Sequence, residues 1–137
     1  MKDKAEIYEI IVALRVLRDL YTEQHWFASG KNFFGTHEFF KDLYESAEKD
    51  IDALAEGALG LDWMLPSAQE FSEMVATAFS SFNGVYSNEK AIELENRLRK
   101  CCSELMSDCV DEGMKNRLAG TCDASLHRVY FLKRLSK

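Results

Sequence analysis

This 137-residue sequence has little of what several protein classes require. It contains one proline and seven glycines, too few for the many tight turns of an all-β fold. No apolar run approaches the roughly 20 residues that cross a bilayer, and the N-terminal residues lack the apolar stretch of a signal peptide. The sequence therefore predicts a helical, cytoplasmic protein without a membrane segment.

The cysteines lack the spacing of a metal or disulfide site. Cys101, Cys102, Cys109 and Cys122 include no C-x-x-C pair. In a cytoplasmic protein they are expected to be reduced thiols, and we interpret them as small, largely buried side chains, with metal or redox chemistry as the alternative. Basic charge is also scarce, because the net charge is -6. This acidity opposes attraction to the phosphates of nucleic acids.

Apolar residues recur at helical spacing along most of the chain. This spacing predicts four long helices and a short one between the second and third. They are expected at residues 4–28, 36–59, 67–79, 88–113 and 114–135. Four such stripes bury one another in a four-helix bundle, and the long connection between the second and third helices suggests a crossover along the bundle.

Particular residues are expected to mark the ends of these helices. Thr36 is predicted to cap the second long helix, and Ser67 with Glu70 to form a capping box on the short one. Ser87 or Asn88 is expected to cap the third long helix, which Gly113 interrupts near its end. The fourth long helix is expected to bury an apolar stripe. This stripe comprises Leu118, Leu126, Val129, Tyr130 and Leu132.

Two histidines and two carboxylates form the most informative pattern. Asp52 and Glu56 are one helical turn apart, so their oxygens can face one metal ion. His37 precedes Asp52 by 15 residues on the same predicted helix, which separates them by ~22 Å. A second copy running antiparallel would bring each His37 beside the other copy's acids. The spacing of His25, His37, Asp52 and Glu56 therefore predicts a metal site between subunits.

These residues lie in a recognisable motif. Residues 24–40, QHWFASGKNFFGTHEFF, resemble the HW-x-x-x-G-x-x-F-x-x-x-H-x-x-F signature of the Dps miniferritins, the DNA-protection-during-starvation proteins. The pair Asp52 and Glu56 falls where that family places its acidic ligands. Residues 65–71 resemble the segment that leads into the family's short helix, and residues 111–135 resemble its last helix. The resemblance thus covers nearly the whole chain, 1–137, as one domain.

The resemblance implies an all-α, ferritin-like four-helix bundle with a short extra helix in the crossover between long helices two and three. It implies a homo-oligomer, a twelve-subunit hollow shell, that oxidises Fe(II), with peroxide preferred, and stores ferric iron. Such an enzyme is a ferroxidase, an oxidoreductase acting on metal ions, and we consider zinc a candidate competitor for iron. The family places its ferroxidase centres at twofold interfaces. In its pattern, His25, Asp52 and Glu56 hold the first iron and His37 serves a second, weaker position.

One residue departs from the family pattern. Miniferritins usually carry an aspartate one turn after the second histidine, where this chain has Lys41. An ammonium group repels a nearby cation, so we expect the second iron to bind more weakly than the first. Trp26 is interpreted as an interface packing residue, with interception of one-electron oxidants as its alternative role. The family's threefold pores correspond to Asp108, Asp111 and Glu112, for which an ordinary solvated helix end is the alternative.

Two other functions stay open. The first is a Dps-like shell or interaction protein whose ferroxidase centre has decayed, acting as a metal chelator or structural partner. The second is a nucleoid-coating protein. The family's DNA binding usually depends on basic flexible tails, whereas the basic C-terminus, residues 127–137, reads mostly as helix. DNA binding is therefore not expected.

Overall fold

The computed structural model describes residues 2–81 and 85–135, and these form five helices without a strand. This confirms the all-α prediction and the short helix in the crossover. The helices are α1 (Lys2–Phe27), α2 (Phe33–Gly60), α3 (Ala68–Ser80), α4 (Asn88–Asp108) and α5 (Glu112–Leu135).

The four long helices pack as two antiparallel hairpins. Helix α1 packs on α2 and α4 packs on α5, while contacts of α1 with α4 and of α2 with α5 close the bundle. The crossover carries α3 against α1. No helix in the described part of the chain combines the length and apolar character needed to cross a membrane.

The core follows a repeat of alternating three- and four-residue steps along α4 and α5, which is the spacing of side chains that face a bundle interior. On α4 this repeat buries Ala91, Glu95, Leu98, Cys102 and Leu105. On α5 it buries Met114, Leu118, Thr121, Ser125, Arg128 and Leu132. The repeat is regular, but it includes polar and charged residues as well as apolar ones.

The predicted stripe of the last helix was partly wrong. Leu126 and Tyr130 are 57% and 53% exposed, whereas Ser125 and Arg128 are buried. The prediction followed apolar residues alone, and the buried face of α5 is partly polar. The buried face is therefore rotated by about one residue from the predicted stripe.

Two predicted helix ends were also wrong. Helix α2 begins at Phe33, with Asn32 before it, so Thr36 lies within the first turn and does not cap the helix. The Thr36 amide instead donates to the Asn32 carbonyl at 3.0 Å. Gly113 does not end α4, which stops at Asp108. It lies in the first turn of α5, whose Met114 amide donates to the Asp111 carboxylate at 2.8 Å.

The other capping predictions are confirmed. The Ser67 hydroxyl accepts from the Glu70 amide at 3.1 Å, and the Ser67 amide donates to the Glu70 carboxylate at 2.9 Å. These two hydrogen bonds form the predicted capping box. Ser87, rather than Asn88, caps α4, because its hydroxyl accepts from the Lys90 amide at 3.1 Å.

Candidate metal centre

His25 and His37 meet at the turn between α1 and α2. His25 lies in the last turn of α1, and His37 lies in the second turn of α2. Between them Gly30 has φ = 85°, a left-handed conformation that costs glycine little. The chain can therefore reverse within a few residues and bring the two imidazoles together.

The two imidazole rings are stacked and hold each other in place. Their centroids are 3.6 Å apart with an angle of 22° between the planes. Nδ1 of His25 lies 2.7 Å from the His37 carbonyl, and Nδ1 of His37 lies 2.8 Å from the His25 carbonyl. A carbonyl only accepts, so each Nδ1 carries the hydrogen that it donates. In the neutral form of each imidazole, this arrangement leaves the Nε2 lone pair for a metal ion.

Aromatic side chains complete the surroundings of this histidine pair. Phe33 stacks on the outer side of His37 with centroids 5.0 Å apart, and Tyr44 presents an edge to His25 at 5.4 Å. His25 is only 9% exposed, while His37 is half-buried. This packing fixes the orientation of both rings, which favours a preorganised ligand pair.

Asp52 and Glu56 lie elsewhere in the same subunit. Both are exposed residues of α2, four positions apart. His37 is on the same continuous helix, as predicted, so ~22 Å of helix separates it from Asp52. Accordingly, no group of three or more His, Cys, Asp or Glu side chains is close enough to hold a metal within residues 2–81 and 85–135.

The histidine and the two acids nevertheless share one face of α2. At 100° per residue, His37, Asp52 and Glu56 fall within a sector of roughly 100° around the helix axis. Residues that pack in the core, such as Phe40 and Leu54, project from the other side of the helix. The candidate ligands of α2 thus lie on a surface that a second molecule can reach.

Lys41 and Trp26 border this surface. Lys41 falls in the same sector of α2 as His37, and its Nζ is 3.9 Å from the Glu45 carboxylate. This exposed pair leaves the ammonium on the surface. Trp26 follows His25 directly and is 69% exposed. A large exposed indole is consistent with its predicted role in an interface.

The three acids predicted to line a pore have local contacts. Asp111 caps α5, as its hydrogen bond to Met114 shows, and Glu112 pairs with Lys115 at 3.2 Å. Asp108 is the last residue of α4. These contacts support the alternative, a helix end, for Asp111 and Glu112.

A buried charge network that was not predicted from the sequence links all four long helices. Arg128 of α5 is fully buried and donates to both Glu95 oxygens, at 2.8 and 3.0 Å. It also donates to Asp50 at 3.0 Å. The hydroxyls of Tyr21 and Ser125 each donate to Glu95 at 2.7 Å. The spacing of Glu95 and Arg128 within the core repeats was the signal that could have revealed it.

This network holds the four long helices together and is not a second metal-binding site. Burial raises the pKa of Asp50 to about 6, against the opposing effect of Arg128. Burial, together with Glu95, raises the pKa of Tyr21 well above its usual value. Acids from two helices do converge here, but the Arg128 guanidinium occupies the space between them. A cation already neutralises the carboxylates that could otherwise bind a metal.

A family model and a solved structure each match most of this chain. A family model described as a ferritin-like domain matches residues 4–117. The structure is similar to the X-ray structure of Dps from Thermosynechococcus elongatus, with a TM-score of 0.81. The alignment covers 99% of this chain and 90% of that chain at 17% sequence identity. At this identity the likeness establishes the fold.

Two curated relatives match a shorter segment. General stress protein 20U of Bacillus subtilis (strain 168) is 47% identical over 38 residues, which are 28% of this chain and 26% of that protein. The DNA protection during starvation protein of Brevibacillus brevis is 49% identical over 37 residues, 27% of this chain and 25% of that protein. Each match spans about a quarter of the relative's length.

Proposed function

This chain belongs to the ferritin-like family and has the fold of a Dps protein, and on this basis we propose that it binds and oxidises Fe(II) between subunits. Family membership supports iron storage in general. The finer proposal is that peroxide is the preferred oxidant and that the ferric product is kept in a hollow homo-oligomeric shell, a dodecamer. The protein would thereby limit oxidative damage in the cytoplasm.

The observation that carries the proposal is the reciprocal hydrogen bonding of the histidine pair. Because both Nδ1 atoms are used by carbonyl groups, both Nε2 atoms are left to bind Fe(II). Imidazole and carboxylate together are ligands that suit non-haem iron. The carboxylates lie too far along α2 to join the histidines of their own subunit.

A second copy supplies the missing carboxylates. If two α2 helices pack antiparallel, with His37 level with Asp52 of the second copy, then Glu56 of that copy lies one turn away. The same arrangement repeats on the other side of the twofold axis, which passes between Tyr44 and Glu45. Two equivalent sites result, each with histidines from one subunit and acids from the other.

In this proposal the residues divide the work between two iron positions. His25 with Asp52 and Glu56 binds the first Fe(II), and His37 contributes to the second. Two Fe(II), one peroxide and two protons yield two Fe(III) and two waters, each iron giving one electron. The carboxylates stabilise the higher charge of the ferric product. Zinc, which accepts the same ligands, would compete for the site.

Lys41 gives a specific reason to consider a second function. It stands where the family has an acidic ligand, so the centre has lost one anion and gained a cation. A Dps-like shell with a decayed centre, acting as a chelator or structural partner, is the resulting alternative. The net charge of -6 does not support nucleoid coating, because an acidic subunit is repelled by the phosphates of DNA. The last two residues of the basic C-terminus lie outside the described residues.

The test measures Fe(II) oxidation by substoichiometric peroxide, followed by ultraviolet absorbance. We compare buffer, the wild-type protein, Lys41→Asp and the control Lys31→Asp, which changes an exposed lysine outside α2. Acceleration by the wild type, unchanged in Lys31→Asp, supports the ferroxidase. Activity in Lys41→Asp alone would favour the decayed centre, and activity in neither would overturn the proposal.

A further inference from the structure

Cys102 of α4 and Cys122 of α5 lie near each other where these two helices pack together. In antiparallel helices, contacting residues keep a nearly constant sum of residue numbers. Ser125 contacts both Glu95 and Arg99 of α4, and the Cys122 sulfur lies 4.0 Å from the Arg99 carbonyl. Cys102 follows Arg99 by three residues, so it lies within about one helical turn of the Cys122 position. Besides burial, proximity of the Cys122 thiol is among the causes that raise the pKa of the Cys102 thiol, which agrees with this placement.

The two thiols differ in access to solvent. Cys102 is fully buried, whereas Cys122 is partly exposed at the surface of α5. The Cys122 thiol also donates a long hydrogen bond, 4.0 Å, to the Arg99 carbonyl. Burial raises the pKa of the Cys102 thiol, which keeps that residue protonated. A small oxidant from solvent therefore reaches Cys122 first.

We propose that Cys102 and Cys122 are a peroxide-reactive thiol pair that closes to a disulfide between α4 and α5. The Cys122 sulfur attacks one peroxide oxygen, the O–O bond breaks, and the thiol proton joins the departing hydroxide, so the products are a sulfenic acid and one water. The Cys102 sulfur then attacks the Cys122 sulfur, an S–S bond forms as the S–O bond breaks, and the Cys102 thiol proton joins the departing hydroxyl, so a second water leaves. Two thiols are oxidised and one hydrogen peroxide is reduced to two waters.

The other two cysteines have different surroundings. Cys101 is only partly buried, and the pKa of its thiol is raised by burial and by nearby carboxylates, Glu104 foremost. Cys109 is buried just after α4, with its thiol donating to the Asp111 carbonyl at 3.7 Å. Neither is opposite a cysteine in the α4–α5 register. They serve as internal controls for selective oxidation.

This reaction is an activity separate from iron oxidation, because it needs neither the histidine pair nor Fe(II). It consumes the oxidant that the proposed ferroxidase uses, and it links α4 to α5 covalently. Cellular thiols can reverse the disulfide by thiol–disulfide exchange. The subunit would therefore have a second, renewable route for removing peroxide.

The experiment uses the full-length, chelator-treated protein with hydrogen peroxide, in the wild type, Cys122→Ser and Cys101→Ser. Free thiols are alkylated before digestion, and peptides are mapped by mass spectrometry with and without reductant. We expect a mass loss of about 2 Da in the wild type from one Cys102–Cys122 disulfide, which reductant reverses. Cys101→Ser should form the same disulfide, and Cys122→Ser should form none.

Three results would overturn the proposal. One is that all four thiols stay free under peroxide concentrations that oxidise a small-molecule thiol. Another is stable oxygen addition at Cys122 while Cys102 remains alkylatable. The third is a disulfide that joins any other pair of cysteines. Circular dichroism of each variant ensures that the comparison is made on folded protein.

Discussion

The two histidines orient each other, because the Nδ1 of each ring donates to the backbone carbonyl of the other residue. Each backbone carbonyl that accepts from the other residue's Nδ1 belongs to a helix that packs in the bundle. The ring nitrogen left for a metal therefore has a position fixed by α1 and α2 together. Sequence spacing predicted the ligand types, but the stacking of the two rings depends on the turn at Gly30.

Lys41 allows a prediction about iron stoichiometry. Because its ammonium repels a cation near His37, the wild type should bind one Fe(II) firmly at each interface site and a second weakly. Lys41→Asp should bind two firmly, and Lys31→Asp should behave as the wild type. Anaerobic titration calorimetry measures all three. Two tightly held Fe(II) per site in the wild type would show that Lys41 does not perturb the second position.

Arg128 allows a prediction about stability. Arg128→Met removes the cation that pairs with buried Glu95 and Asp50, whose side chains are 0% and 11% exposed. Loss of one member of a buried ion pair typically costs about 3–5 kcal/mol. We expect a decrease of that order in the free energy of unfolding, measured by urea denaturation.

Arg134 provides the matched control for Arg128. It is exposed on the same helix, with its guanidinium 5.7 Å from the Tyr130 ring. Arg134→Met should change the free energy of unfolding by less than about 0.5 kcal/mol. Equal effects of the two substitutions would contradict the structural role assigned to the buried network.

At the scale of the helix, α2 is the element that determines where a metal can bind. Its 28 residues carry His37 near one end and the Asp52 and Glu56 pair near the other. The helix was predicted from its periodicity, and so was the separation of these residues. The first residue of α2 was not predicted correctly, because the helix begins at Phe33, three residues before the predicted cap Thr36.

Helix α5 shows why part of the bundle interior could not be predicted. Its apolar residues outlined an approximate stripe, but the buried positions include Thr121, Ser125 and Arg128. Such polar side chains are buried only when residues on other helices form hydrogen bonds or ion pairs with them. Those partners, Glu95 and Asp50, lie far away in sequence, so the network becomes visible only when the helices are assembled.

The capping box of α3 allows a prediction at this scale. Ser67→Ala removes the hydroxyl that accepts from Glu70, and such a change typically costs about 1 kcal/mol. The control is Ser72→Ala, since the Ser72 hydroxyl only donates to a carbonyl within the same helix. Urea denaturation should show a loss for Ser67→Ala and almost none for Ser72→Ala. Equal losses would contradict the capping role.

At the scale of the whole molecule, the subunit contains half of each proposed iron site. The bundle places the histidine pair at one end of α2 and the acids toward the other, on a face open to a second copy. Large exposed aromatic side chains near the histidines, Trp26 and Phe34 among them, are surfaces that association would bury. Iron oxidation is therefore expected to require assembly of at least two subunits.

The most direct test of this claim mixes two inactive variants. One is His25→Asn/His37→Asn, which retains side-chain donors at both positions, and the other is Asp52→Asn/Glu56→Gln. Each alone should lose peroxide-dependent Fe(II) oxidation. Coexpression allows mixed pairs, in which one of the two interface sites has both its histidines and its acids.

The coexpressed protein should recover roughly a quarter of the wild-type rate of Fe(II) oxidation. Half of the pairs are mixed under random association, and half of the sites in each mixed pair are complete. Variants that are combined only after each has assembled separately should stay inactive. A coexpressed mixture no faster than either variant alone would contradict a site shared between subunits.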